Sequence, residues 1–182
     1  MAAAYLFPHQ RAIGQYVRST PGATANPAGR GVLPQNVICR VIGLAQDIFS
    51  RHPIPPERVL GHSDVAPARK RDPGEKFPWH SLANSGVGHW VQPAPIVRGE
   101  PLKLGSISND VAGLQMALAK YGYNIPTHGK FDGPTMEVVT AFQRHFRTAR
   151  VDGIADHSTL STLHALLASL PADATNTVIA AK

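Results

Sequence analysis

The stretch that most restricts the fold is GHSDVAPARKRDPGEKFPW, residues 61–79. Pro67, Pro73 and Pro78 each remove a backbone donor and fix φ, and Gly61 and Gly74 bracket part of the run. Neither a long helix nor a central strand can pass through such a segment. It reads as a rigid, proline-bounded loop carrying an imidazole (His62), an ammonium (Lys70) and a carboxylate (Asp72). Imidazole nitrogen and carboxylate oxygen are zinc ligands, and a lysine beside them can stabilise an anion that forms at a metal. Taken singly, the same residues also fit a solvated surface loop of mixed charge. Ser63 and Asp64 do not complete a nucleophilic triad with His62, because adjacent residues cannot converge as one.

Composition narrows the partners. At 182 residues and 43% hydrophobic content the chain suits one domain or two small ones. A formal charge of +6 points to an anionic partner: nucleic acid, a membrane surface or an acidic bacterial wall. The basic residues are scattered, which argues against nucleic acid. The single cysteine, Cys39, excludes an internal disulfide and a Cys-rich metal site, and its place on an apolar helical face predicts a small buried hydrophobe. No apolar run approaches the length of a membrane span. Residues 1–9 lack the basic start and long apolar run of a signal peptide, so the chain as written reads as cytoplasmic.

In chain order, residues 1–31 read as an irregular N-terminal segment in which Gln10–Arg18 could form a short helix and His9 is solvated. Pro34 to Ser50 is a helix with Val37, Ile38, Val41, Leu44, Ala45, Ile48 and Phe49 on one stripe, opened by Pro34 and ended by His52-Pro53. Arg58-Val59-Leu60 is a short strand delivering His62 to the loop, and Leu82, Val87, Trp90 and Val91 close a first domain over 32–92. Trp79 and Trp90 read as cover over the loop, and Arg69 and Arg71 as surface charge. The proline-rich residues 93–105 form a semi-rigid linker.

From 106 to 170 the pattern is three helices. The first, Asp110–Tyr121, carries Val111, Leu114, Leu118 and Tyr121. The second opens at Phe131-Asp132-Gly133-Pro134-Thr135 with Asp132 as its cap and buries Val138, Val139, Phe142 and Phe146. Val151 to Asp156 repeats that opening phrase, and Asp156 or Ser158 caps a third helix bearing Leu160, Leu163, Leu166 and Leu167. Residues 171–182 are a frayed tail.

The string HSDVAPARKRDPGEKFPW closely resembles the C-terminal zinc-site segment of the type-2 N-acetylmuramoyl-L-alanine amidases, whose fold the peptidoglycan-recognition proteins share. The resemblance implies that His62 and Asp72 bind Zn2+ and that Lys70 supports the tetrahedral intermediate as the amide between N-acetylmuramic acid and L-alanine is cut. It also implies a third ligand, a histidine, and a water-activating glutamate upstream. Neither has a counterpart: His9, the only histidine before Pro34, reads as solvated, and the first acidic residue is Asp47. His52, His80 and His89 are the nearby candidates for a substitute ligand.

Residues 106–170 resemble the small peptidoglycan-binding domain of cell-wall hydrolases, through Asp110-Val111, Leu114-Gln115, Gly122-Tyr123, Phe131-Asp132-Gly133-Pro134-Thr135, Ala141-Phe142-Gln143, Val151-Asp152-Gly153 and Thr159-Leu160. The expected fold class is therefore α+β: a truncated amidase-like domain with few strands, marginally stable, then an all-α three-helix domain that folds alone. The expected protein is a bacterial envelope monomer with peptidoglycan or muropeptides as partner and with weak or no amidase activity. The alternative is a non-catalytic peptidoglycan-binding protein built from the same parts.

Overall fold

The computed structural model describes residues 33–171 in full and residues 4–6 by their backbone. The helix proposed at Gln10–Arg18, His9 and the tail beyond 171 lie outside the described residues. The chain divides into two units, residues 1–90 and 91–182.

In the first unit, α1 (Gln35–Arg51) follows an extended Pro34 and stops at His52, whose N–H still donates to Ile48 O at 2.9 Å. Ile38, Ala45 and Ile48 are buried, and Val41, Ile42, Leu44 and Phe49 are half-buried beside them, so one stripe faces the core. Cys39, expected to be buried, is exposed. One step along a helix turns a residue about 100° from its neighbour, and Cys39 falls outside the Ile38 stripe, with Gln35 Nε2 3.8 Å from its sulfur.

β1 (Ala4–Leu6) and β2 (Val59–Gly61) pair antiparallel, with Ala4 opposite Gly61 and Leu6 opposite Val59. β1 lies in the segment read as irregular; three residues are too few for an alternating period to show. The strand expected at Arg58–Leu60 starts one residue later, because Pro56–Arg58 forms a 3₁₀ turn. His62–Val65 is a single helical turn (α2), and Trp79–Ala83 (α3) sends Trp79 and Leu82 into a core shared with Val59, Phe77 and Val87. Short strands among helices make the class α+β.

The second unit holds α4 (Asn109–Tyr121), α5 (Gly133–Phe146) and α6 (His157–Ala168), with α4 packed on α6. Each helix begins at a side-chain oxygen: Ser108 accepts from Val111 N–H, Asp132 from Thr135 N–H and Asp156 from Thr159 N–H. Phe142 and Leu163 are fully buried at its centre.

The unit contains an internal repeat held by buried glutamines. Gln115 Oε1 accepts from Gly129 N–H, and its Nε2 donates to Lys130 O and Thr135 Oγ1. Gln143 Oε1 accepts from Asp152 and Gly153 N–H, while its Nε2 lies within hydrogen-bond reach of Asp152 Oδ1, Ile154 O and Thr159 Oγ1. The structural repeat therefore aligns Gly129, Asp132 and Thr135 with Gly153, Asp156 and Thr159. Both glycines have positive φ, +75° and +73°. Residues 93–105 are tied to this unit: Ala94 N–H donates to Thr162 Oγ1, Ser158 Oγ donates to Ala94 O, and Leu102 bridges Ala155.

Candidate functional site

The loop after β2 is closed by main chain. Ser63 N–H donates to Asp72 O at 3.0 Å, which brings the two ends of a ten-residue excursion together. Within it, Ala66 N–H donates to His62 O, and Arg69 and Lys70 N–H both donate to Ala66 O, so the arm between the ends is a compact turn. Gly61 N–H donates to the buried Asp64 Oδ2 at 2.8 Å. Asp64 and Ser63 thus belong to the scaffold of the loop, in keeping with the rejection of a triad.

That closure sets His62 Nδ1 against Asp72 Oδ2. Their side chains are 22% and 32% exposed, which leaves the pair half-buried yet reachable. Lys70, Arg69 and Arg71 are exposed on the same loop. Behind the loop lies an aromatic wall in which Phe77 and Trp79 meet edge to face at 4.6 Å between ring centres. Of the residues singled out in the sequence, the fold joins His62 and Asp72.

Two of the substitute histidines have other engagements. His80 packs at a tilt against Trp90 with ring centres 4.7 Å apart, and its Nε2 lies 3.0 Å from Asn84 Nδ2. His52 caps α1 through its backbone. Among the described residues no group of three or more His, Cys, Asp or Glu is gathered as a metal site. The chemistry of the pair nonetheless fits part of a zinc site, with one nitrogen and one oxygen donor converging at an accessible place.

The second unit holds a deeply buried charged residue. Arg147 is 1% exposed, and its Nη2 donates to Asp156 Oδ1 at 3.2 Å and Thr159 Oγ1 at 2.7 Å. Burial pulls its guanidinium below the usual arginine range, and Asp156 opposes that shift. Sequence reasoning missed Arg147, and it named Gln115 and Gln143 only as part of a resemblance, because polar residues inside an apolar stripe carry no sign of what they will bond. No described helix is long and apolar enough to cross a membrane.

Residues 108–163 match the family model described as "Putative peptidoglycan binding domain". Over 130 residues the chain is 40% identical to N-acetylmuramoyl-L-alanine amidase AmiD of Escherichia coli (strain K12), covering 70% of this chain and 46% of AmiD. The solved complex of that amidase with anhydro-N-acetylmuramic acid-L-Ala-D-gamma-Glu-L-Lys matches with a TM-score of 0.58 at 37% identity, over 72% of this chain and 51% of that one. AmpDh3 of Pseudomonas aeruginosa, in complex with anhydromuramic pentapeptide, matches with a TM-score of 0.60 at 29% identity, over 78% of this chain and 56% of that one. The chain spans about half the length of these relatives.

Proposed function

Related to the N-acetylmuramoyl-L-alanine amidases and carrying a peptidoglycan-binding domain, this chain, we propose, acts on the amide between N-acetylmuramic acid and L-alanine. His62 and Asp72 are the metal ligands of this reading, and Lys70 is the group that meets developing negative charge. The observation that carries it is the pairing of His62 Nδ1 with Asp72 Oδ2 at the closed ends of one loop.

Zinc bound by these donors would supply Lewis acidity and a water of lowered pKa. The chain's own residues do the rest. The loop closure through Ser63 and Asp72 holds both donors in register before any ion arrives, which lowers the ordering cost of binding. The exposed ammonium of Lys70 stabilises an oxyanion best in a site from which water is expelled. Arg69 and Arg71 add positive field that draws the carboxylates of a stem peptide toward the loop.

With two donors gathered among the described residues, the ion would be held loosely, and no described carboxylate joins the pair to activate water. Loss of such a general base lowers a rate by about 10²- to 10⁴-fold, so the activity of this chain is weak. In this account the protein works as a monomer in the bacterial envelope, and its second unit keeps it on peptidoglycan or muropeptides.

Purified peptidoglycan incubated with the zinc-loaded chain tests this. Slow release of stem peptide is expected, abolished by a chelator and by His62→Ala or Asp72→Ala, while both variants still sediment with the wall. Sedimentation with no chelator-sensitive release would replace the amidase reading with that of a non-catalytic wall-binding protein.

A further inference from the structure

The second unit has a surface cleft of about 330 Å³ between residues 96–101 and the turn around 150–156. Its polar edge is made by Arg98 and Arg150, and Ile96, Val97 and Ile154 supply apolar lining. Ile96 is 36% exposed and Val97 47%.

The charges in the cleft are spent unevenly. Asp152 Oδ1 accepts from Ile154 N–H and lies 3.2 Å from Gln143 Nε2. Asp156 Oδ1 accepts from Thr159 N–H, Thr159 Oγ1 and Arg147 Nη2. Oδ1 of each carboxylate is therefore engaged, in exposed Asp152 as a turn holder and in buried Asp156 as a helix cap. The guanidiniums are not. Arg150 Nη1 is 3.7 Å from Asp156 Oδ2, an ion pair too long for a hydrogen bond, and its side chain is 52% exposed. Among the described residues neither Arg98 nor Arg150 donates a hydrogen bond. Arg98 and Arg150 line the cleft together with Asp152 and Asp156, and the two guanidiniums supply its unengaged donors.

The wall of the cleft is also built in advance. Residues 96–101 are tethered at one end by Ala94 to Thr162 and Ser158, and at the other by Leu102, which exchanges hydrogen bonds of 3.0 and 2.9 Å with Ala155. A ligand entering it pays little to order the chain. Planar guanidinium donors pair bidentately with carboxylates, and branched apolar side chains suit the methyl and methylene groups of a short peptide.

We infer that this cleft binds the carboxylate-bearing end of a peptidoglycan stem peptide, with Arg98 and Arg150 pairing to the carboxylate and Ile96, Val97 and Ile154 packing on its aliphatic part. The inference rests on the wall-binding reading of the second unit and gives that reading a place on its surface.

The test titrates the tripeptide L-Ala-γ-D-Glu-L-Lys into the ¹⁵N-labelled full chain and follows backbone amide shifts. Shifts centred on Gly99, Arg150 and Ile154 are expected. Arg98→Gln and Arg150→Gln should each weaken binding about tenfold or more, as should amidation of the peptide's carboxylates, since hydrogen bonds to charged groups contribute about 1.5–3 kcal/mol. Lys120→Gln, which removes an exposed charge outside the cleft, should change nothing. Shifts elsewhere, or full affinity in both arginine variants, would overturn the inference. Co-sedimentation with intact peptidoglycan separates the two layers of the account. Variants that sediment like the parent while the parent's tripeptide shifts lie elsewhere would sink the cleft and spare wall binding. A parent chain that binds the tripeptide in the cleft yet never sediments would do the reverse.

Discussion

Gly61 has no room for a side chain. A Cβ there would lie 2.6 Å from Pro73 Cδ and 3.3 Å from Trp79 Cζ2, so Gly61→Ala must push the residue that follows Asp72. It is expected to weaken zinc binding and to cost about 1–3 kcal/mol by overpacking. Gly43 on α1 meets nothing within 4 Å, and Gly43→Ala should stabilise by about 0.5–1 kcal/mol through helix propensity. Thermal unfolding of the two variants checks the contrast. His62, Lys70 and Asp72 stood out in the sequence because a proline-bounded loop concentrates them. What joins two of them was not: the closure is a main-chain bond from Ser63 to Asp72, and main chain leaves no mark in a residue string. The misplacement of Cys39 has a similar root, since on a helix a stripe ends within one residue of its edge.

The helices of the second unit are fastened at their starts. The Asp132 carboxyl is held below its usual range, first by the Thr135 hydroxyl and then by the Thr135 N–H. A carboxylate with a lowered folded pKa adds stability above its unfolded pKa, and that stability fades as pH falls through the folded value. The wild-type advantage over Asp132→Ala should therefore be present at neutral pH and shrink below about pH 4, as chemical denaturation across pH would show. Asp156→Ala should be far more damaging, about 3–5 kcal/mol, because it removes a cap and strands the buried Arg147. Gln143→Leu leaves the Asp152 and Gly153 N–H groups without their acceptor, and a loss of about 2–4 kcal/mol is expected in the same assay. The caps at Asp132 and Asp156 and the doubled turn could be read in advance, since Asp before a helical period has a defined task. The register of the repeat could not, because the sequence phrases match at Asp132 and Asp152 whereas the bonding pattern matches at Asp132 and Asp156.

At the scale of the whole molecule, the two units differ in how completely they close their cores. Val41, Ile42, Leu44 and Phe49 on α1 remain half-buried, whereas the second unit buries Phe131, Val139 and Phe142 completely. Limited proteolysis of the full chain should leave a resistant fragment containing residues 106–170, and residues 91–182 expressed alone should unfold cooperatively; a first unit that survives as long would contradict this. The composition and the two resemblances made the α+β class and the helical second unit legible. The strand at residues 4–6 and the binding of residues 93–105 to the second unit depend on pairings distant in sequence, which local pattern does not encode. The account turns on the loop that sets His62 beside Asp72, and zinc affinity by competition with a chromophoric chelator measures it most directly. The full chain should bind one zinc, His62→Ala and Asp72→Ala should each lose at least tenfold in affinity, and His80→Ala should match the parent. Equal affinity in all four proteins, or no zinc bound by the parent, would contradict the assignment.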